Sequence, residues 1–276
     1  MNVNNNELVD VLIIGAGLAG IGGACQLRRN CPNHSFAVLE SRAVSGGTWD
    51  LFRYPGFRSD SDMYTYSYGF KPWKDKSTIA DGYKILNYIR EAAAEYKVEQ
   101  HIRYQHKVVA ANWSSVDKHW VVTAERGDTN EQVTINCKFM FNCSGYYDYE
   151  KGNIPEFAGI KDFKGKVVHS QHWPEDLNYK GKRVVVIGSG ATAVTMVPAM
   201  SKDTSSLVML QRSPTYIASL PSEDPMAKRL RKYLPNSWVF RLTRWKKVLV
   251  QIYRYQLSPR KPQVLKKILL GEVRKA

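Results

Sequence analysis

The sequence predicts an α/β chain built from two strand–turn–helix units of one physical type, followed by a basic helical stretch. Three observations predict it. An apolar, β-branched run ends in a glycine-spaced turn and a small-residue helical pattern at Val9-Asp-Val-Leu-Ile-Ile-Gly15-Ala-Gly17-Leu-Ala-Gly20. The same arrangement returns at Val184-Val-Val-Ile-Gly188-Ser-Gly190-Ala-Thr-Ala193. Residues 226–276 then carry fifteen Lys/Arg against one acid, Glu272, with apolar residues at helical spacing. The expected architecture is two Rossmann-like dinucleotide-binding domains with a helical insertion.

At 276 residues the chain is long enough for one large or two modest domains, each with its own core. Its 43% apolar content excludes a disordered chain. No run approaches the roughly 18 apolar residues of a membrane span, and residues 1–6 lack a signal-peptide pattern, so a cytoplasmic protein is expected. Cys25, Cys31, Cys137 and Cys143 show neither CxxC nor zinc-type spacing, which points to free thiols and no metal site. Residues 226–276 hold +14 of the chain's net +15, so the first 225 residues are nearly neutral and basicity belongs to the last fifth.

Residues 8–14 form a continuous apolar run, which suits a parallel strand covered on both faces. In the turn that follows, Gly15 permits the tight bend, Gly17 lets the backbone approach a pyrophosphate, and Gly20 allows close helix–strand packing. The helix start offers free N–H groups and a positive dipole end to phosphate. That helix is expected to continue through residues 21–28 and stop at Cys31-Pro32-Asn33. Residues 36–40 read as a second strand with Glu40 at its end, about 20 residues past the last glycine, where a carboxylate accepts from both ribose hydroxyls. A lone glycine turn is weak evidence. Strand, helix and acid in this order point to nucleotide binding.

Next comes a glycine-punctuated loop, Ser45-Gly46-Gly47-Thr48-Trp49-Asp50, then Arg53-Tyr-Pro-Gly56-Phe-Arg58-Ser59-Asp60. Trp, Arg and Asp are costly in a mere connector, and functional residues concentrate on such loops. Tyr64, Tyr66, Tyr68, Phe70 and Trp73 suit either a wall around a flat cofactor or core, with core favoured for most. Residues 81–96 alternate apolar and charged positions at helical spacing through Ile85, Tyr88, Ile89 and Ala92. Residues 102–111, Trp113, 120–124 and 132–143 resemble antiparallel strands, with a turn at Arg126-Gly-Asp-Thr-Asn130. The last of them runs into Gly145, as expected of a return strand in the first nucleotide domain.

The second glycine turn has Ala193 at the third small position, a common variant. The strand over 206–211 ends in Arg212-Ser213 where an acid would favour an unphosphorylated ribose. An Arg beside a hydroxyl suits the 2′-phosphate of NADP. Beyond it, Trp238, Leu242, Trp245, Leu249 and Ile252 recur at spacings of four and three, with Arg244, Lys247, Gln251 and Arg254 on other faces. The favoured reading is a helical excursion packing on the rest of a larger protein. A peripheral membrane contact through 226–276 is the alternative, and no motif supports nucleic-acid binding.

Between the two turns lies Phe163-Lys-Gly165-Lys-Val-Val-His169-Ser-Gln-His-Trp173-Pro174, which fits FxGxxxHxxxW[P/D]. Together with both glycine turns, Gly46-Gly-Thr-Trp49 and Arg53-Tyr-Pro-Gly56 followed by Asp60, this connector makes the chain resemble the type I Baeyer–Villiger flavin monooxygenases. Related flavin-containing monooxygenases usually carry Tyr where Trp173 stands. The strings Gly46-Gly-Thr-Trp-Asp-Leu-Phe-Arg-Tyr-Pro-Gly56, Ser59-Asp-Ser-Asp-Met-Tyr64, Cys143-Ser-Gly-Tyr-Tyr147 and Gln211-Arg-Ser-Pro-Thr-Tyr216 are similar to the ethionamide-activating, prodrug-oxidising branch. The resemblance covers essentially the whole chain, which corresponds to about the first half of such an enzyme.

The resemblance implies FAD on Gly15, Gly17, Ala19 and Gly20 with Glu40 at its ribose. Thr48, Trp49, Asp50, Leu51 and Asp60 would line the flavin side, and Val108 would hold the adenine through its backbone. NADPH would sit on Gly188, Ser189, Gly190, Ala191, Thr192, Ala193 and Val194, with Arg212 and Ser213 at the 2′-phosphate and Arg58, Ser59 and Asp60 toward the nicotinamide. Asp60 would orient an Arg that stabilises the peroxide. His169 and Trp173 would couple the domains as the nicotinamide moves, rather than act as acid–base groups.

The implied activity is hydride transfer from NADPH to FAD and oxygen insertion from O2 into ketones, giving esters or lactones, or oxygenation of S/N centres, through a C4a-peroxyflavin. The substrate would be a small apolar ketone, thioether or thioamide. The expected division is an FAD domain over 1–150, a linker over 151–180, the first half of an NADPH domain over 181–220 and an incomplete helical insertion over 221–276. The peroxide-stabilising Arg and the strands completing both nucleotide domains are expected beyond residue 276, so the isolated chain is expected to bind FAD poorly if at all and to be inactive. The rival readings are an N/S-oxygenating flavin monooxygenase and an inactive nucleotide-binding fragment. A disulfide reductase is disfavoured by the missing CxxC.

Overall fold

The computed structural model describes residues 7–213, 217 and 221–275; residues 214–216 of the Gln211-to-Tyr216 string and the N-terminal residues 1–6 lie outside them. In chain order the first elements are β1 (Glu7–Ile14), α1 (Leu18–Asn30), β2 (Phe36–Leu39), α2 (Thr48–Leu51), α3 (Met63–Tyr66) and α4 (Gly82–Glu95). Four strands follow, β3 (Ile102–Arg103), β4 (His106–Ser114), β5 (His119–Arg126) and β6 (Gln132–Asn142). The remainder is β7 (Arg183–Ile187), α5 (Ala191–Met200), β8 (Ser206–Leu210), α6 (Pro225–Leu230), α7 (Asn236–Arg260) and α8 (Pro262–Lys275). These group into two compact units, each discontinuous in sequence: Met1–Arg53 with Tyr83–Trp173, and Tyr54–Gly82 with Pro174–Ala276.

In the first unit six strands lie in the order β3-β2-β1-β6-β5-β4. The four from β3 to β6 run parallel, and β6-β5-β4 is an antiparallel meander. Alternation along β1 separates two packing layers. Leu12 joins Leu39, Val122, Ile135 and Cys137 in one buried cluster. Ile13 and Val38 on the other face are wholly buried, as are Ile21 of α1 and Ile85 and Ile89 of α4. The Cys25 thiol reaches the Ala92 carbonyl at 3.6 Å, which brings α1 and α4 side by side. The helical spacing read from 81–96 is therefore the buried stripe of α4, and the fold class is the one expected.

One strand differs from expectation. Residues 102–111 are not a single antiparallel strand. Ile102 and Arg103 pair in parallel with Val38 and Leu39, and Gln105 then turns the chain at a φ of 58° before β4 begins. The period-two pattern continues across the break, so alternation alone could not reveal it. The meander turn is where the sequence places it, with Asn130 at a φ of 57° and Arg126 N donating to Glu131 O at 2.9 Å.

In the second unit β7 and β8 pair in parallel, and α5 packs on both strands. The segment 54–82 packs with the C-terminal helices. Tyr64 and Trp73 are buried there, while Tyr66, Tyr68 and Phe70 are half-buried, so two of the five aromatics are core where most were expected to be. Arg244 donates to the Tyr64 and Ser67 carbonyls at 2.9 Å, and Arg231 donates to the Tyr64 hydroxyl at 3.1 Å.

Helix α7 turns an unexpected face inward. Val239, Phe240 and Thr243 are buried, whereas the stripe from Trp238 to Ile252 is exposed, from 43% at Leu242 to 65% at Trp245. The residues read as lying on other faces pin the helix in place. Lys247 pairs with Asp224, Gln251 donates to Asp62 at 3.2 Å, and Arg254 pairs with Glu272. Among the described residues no helix is long and apolar enough to cross a membrane.

Asp224 is almost wholly buried. It caps α6 through Met226 N and Ala227 N, and it pairs with Lys246 and Lys247 at 2.8 and 3.2 Å. Burial pushes its pKa up, but the ion pairs and cap bonds outweigh that and hold it down to about 2. A depressed folded pKa stabilises the protein above the unfolded value, about 4, and the stabilisation is lost as pH falls toward the folded value. Asp224→Asn is expected to lower stability at pH 7 by about 2 kcal/mol. In urea melts of parent and variant, that gap should close as pH is lowered from 5 to about 2; a pH-independent gap would refute the assignment.

Candidate functional site: two glycine turns and the connector

The first turn follows from contacts that forbid side chains. Gly15 has a φ of +101°, and a Cβ there would stand 2.5 Å from the Cys143 carbonyl oxygen. At Gly20 a Cβ would meet the Gly15 carbonyl oxygen at 1.8 Å, so α1 can start against the turn only with glycine there. Gly17 caps α1 with no side-chain bond, and the nearest heavy atom to its built Cβ is Gly47 Cα at 3.6 Å. The thirteen-residue helix thus starts without a side-chain cap, leaving its first N–H groups to an anion, and the Gly47 backbone lies against Gly17.

At the end of β2, Glu40 is 4% exposed. Its carboxylate accepts from Ala16 N at 2.8 Å on one oxygen and from Arg42 N at 2.9 Å on the other. The acid is therefore fixed against the glycine turn with further lone pairs available to ribose hydroxyls. His106 N donates to Glu40 O at 2.8 Å, which brings the start of β4 to the same end of the sheet. Val108 lies two residues on, where the β4–β5 register shifts.

The loop after β2 folds back onto this turn. Gly46 N donates to Ala16 O at 2.9 Å, and α2 follows directly. Within α2, Thr48, Trp49 and Leu51 are half-buried, while the buried Asp50 carboxylate turns to arginines. Arg42 and Arg90 each reach it at 2.7 Å, and Arg53 at 3.5 Å. Arg42 and Arg90 did not stand out in the sequence. Arg90 lies forty residues from Asp50, and no spacing signal links them.

The connector's small residues have the same steric logic. A Cβ on Gly165 would meet the Phe163 ring at 2.4 Å, and one on Gly152 would meet His169 Nδ1 at 2.4 Å. His169 Nδ1 accepts from Gln171 N at 3.3 Å, capping a short 3₁₀ turn over Ser170–His172. The half-buried Trp173 is the last residue of the first unit.

In the second unit Gly188 bends at a φ of +133°, with its N–H donating to Leu210 O at 2.8 Å. A Cβ on Gly188 or Gly190 would meet no atom within 4 Å, which leaves room for a bulky anion at the start of α5. Ser189, Thr192 and Val194 are half-buried, Ala193 is buried and Ala191 is exposed. The Thr192 hydroxyl is engaged by Tyr54, and a Cβ on Gly56 would meet Ala199 Cβ at 2.8 Å, so the Tyr54-to-Gly56 string lies on α5. Arg212 and Ser213 stand exposed past β8, next to that turn. Arg58 and Asp60 are exposed on this unit, while Ser59 is buried and accepts from Ala80 N at 3.0 Å.

Each turn thus ends in a helix start capped by glycine with no side-chain hydrogen bond. The chain matches two family models. One is described as an NAD(P)-binding Rossmann-like domain, over residues 13–76, and the other as flavin-binding monooxygenase-like, over residues 58–268. The chain belongs to the flavin-binding monooxygenase-like family. It is 48% identical over 270 residues to the FAD-containing monooxygenase EthA of Mycobacterium tuberculosis, covering 98% of this chain and 55% of that protein. It is 47% identical over 266 residues to a probable FAD-binding monooxygenase, AlmA, of Acinetobacter baylyi, covering 96% and 53%.

Among solved structures, OTEMO in complex with FAD and NADP matches with a TM-score of 0.69 at 30% identity, over 85% of this chain and 44% of that one. An open cyclohexanone monooxygenase matches at 0.69 and 26% identity, over 80% and 43%. The chain spans about half the length of the curated relatives it matches. The family read from the connector and the glycine turns is the family found.

Proposed function

We propose that, in the full-length protein, the Gly15-to-Gly20 turn holds FAD and the Gly188-to-Val194 turn holds NADPH, in the service of a monooxygenase. The substrate is a small apolar ketone, oxygenated in the Baeyer–Villiger manner, or a sulfur or nitrogen centre of comparable size. The observation that carries the reading is the pair of uncapped helix starts, each behind a glycine turn, one with buried Glu40 and the other with Arg212. When bound, the nicotinamide supplies a hydride and the flavin supplies oxygen activation.

The protein's own residues bind and orient. Glu40 accepts from the adenosine ribose, Gly17 and Gly190 leave the backbone open to phosphate, and Val108 offers its main chain to the adenine. Thr48, Trp49 and Leu51 wall the flavin side, with Asp50 acting through its arginines. Arg58, Ser59 and Asp60 attend the nicotinamide end, and His169 and Trp173 set the connector. The ketone reading draws support from Trp173 in the connector and from the likeness to cyclohexanone monooxygenase.

The test of the second turn is selectivity. Arg212→Ala removes a charge-assisted contact to the 2′-phosphate, so NADPH affinity should fall about 10- to 100-fold while NADH affinity stays unchanged. Equal losses for both nucleotides would remove Arg212 from the site. For the first turn, titration of the full-length protein with FAD should quench flavin fluorescence to a stoichiometric endpoint. Products from a cyclic ketone, ester or none, separate the Baeyer–Villiger reading from S/N oxygenation in the full-length protein.

A further inference from the structure

Tyr149 belongs neither to the Gly46-to-Leu51 loop nor to the connector pattern, yet it touches both. Its hydroxyl shares a hydrogen bond with Thr48, the first residue of α2. A Cβ built on Gly47 would stand 3.4 Å from the same hydroxyl. Arg42 lies over the Tyr149 ring at 5.8 Å while pairing with Asp50 of α2 at 2.7 Å. The side chain therefore holds the loop that crosses Gly17.

The main chain at the same place is held by the connector. His172 Nε2 lies 3.2 Å from the Tyr149 carbonyl oxygen. The neighbouring Asp148 carbonyl accepts from the side-chain amide of Gln171, which is 6% exposed. One dipeptide thus receives bonds from the His169–Trp173 stretch through its carbonyls and passes them to α2 through one ring. All of these contacts lie within the first unit, whose last residue, Trp173, precedes the passage of the chain into the second. Burial pushes the Tyr149 pKa up, so the phenol keeps its proton at neutral pH.

We infer that Tyr149 is a positioning residue through which the His169–Trp173 segment sets the Gly46-to-Leu51 turn against Gly17. This rests on the reading of that turn as the flavin wall. Spacing could not have disclosed the link, because Thr48, Tyr149 and His172 are drawn from three separate stretches of sequence. Loss of the hydroxyl bond corresponds to about a fivefold change in the opening equilibrium of α2.

The test is amide hydrogen exchange across α2, in particular at Leu51 N and Phe52 N, whose acceptors are Gly47 O and Thr48 O. Tyr149→Phe, which keeps the ring beneath Arg42, and His172→Ala are each expected to raise exchange about fivefold. The double variant should exceed either single variant only slightly, because removing the hydroxyl already cuts the link. His172→Gln, which restores an amide donor toward the Tyr149 carbonyl, should return exchange to the parent rate; a residue that merely supported the local fold would not be rescued selectively. Unchanged exchange in His172→Ala, or effects that multiply in the double variant, would overturn the inference. FAD titration of the same proteins separates the two readings. Coupled exchange without flavin binding in the parent leaves the Tyr149 link standing and removes the flavin assignment. Flavin binding with uncoupled exchange does the reverse.

Discussion

Gly20→Ala is expected to destabilise the first unit by at least about 3 kcal/mol. The added methyl would sit 1.8 Å from the Gly15 carbonyl oxygen, a backbone atom that cannot rotate away. Relief requires α1 to lift from the turn, which separates Ile21 from the wholly buried layer it shares with Ile13 and Val38. In a thermal melt the shift should be about 10 °C. Gly17→Ala provides the contrast. Its φ is −81° and the new methyl would meet only Gly47 Cα at an ordinary 3.6 Å, so the fold should tolerate it. On the proposed reading of this turn as the FAD site, the methyl would crowd the pyrophosphate. Near-parent stability with at least about tenfold weaker FAD binding is the expected result. Equal stability losses at both positions would mean that the turn does not discriminate between packing and phosphate access.

Glu40→Gln is the second large effect. Both carboxylate oxygens are already acceptors, for Ala16 N on one side and Arg42 N on the other. Glutamine has one acceptor oxygen, so its NH2 must face one of these N–H groups. Ala16 is wholly buried, and leaving its N–H unpaired costs about 1–3 kcal/mol. The same substitution removes the charge that would accept from the ribose, so FAD affinity should fall about 10- to 100-fold. Chemical melts and flavin fluorescence titration read the two effects separately. Full FAD affinity in Glu40→Gln would displace the acid from the ribose.

Much of this arrangement was legible in the sequence because its causes are local. Gly15, Gly17 and Gly20 fall in one short stretch, with Gly20 forced by a contact inside the turn itself, and Glu40 follows at the end of the next strand. The helix over 82–95 declared itself through Ile85, Tyr88, Ile89 and Ala92. Reading failed where a structural cause joins distant segments. The arginine partners of the Asp50 carboxylate were hidden, since only the fold brings Arg90 of α4 to α2. Helix α7 shows the complementary failure. Periodicity marks an apolar stripe but not which face a neighbour will take, and here Asp62, Asp224 and the Tyr64 carbonyl draw the polar side inward. The parallel pairing of β3 was hidden for a related reason, since alternation carries no strand direction.

The discontinuity of the two units constrains how such genes can recombine. A crossover near residue 150 between two relatives would hand Tyr54–Gly82 to one parent and the helices it packs with to the other. Tyr64 would then lose the guanidinium groups of Arg231 and Arg244 unless the donor supplied equivalents. Thr78 N would likewise lose its acceptor, Ser222 O. Viable chimeras of this family should therefore inherit the 54–82 insert together with everything after Pro174, so a single-breakpoint swap should be rarer among natural descendants than a paired one.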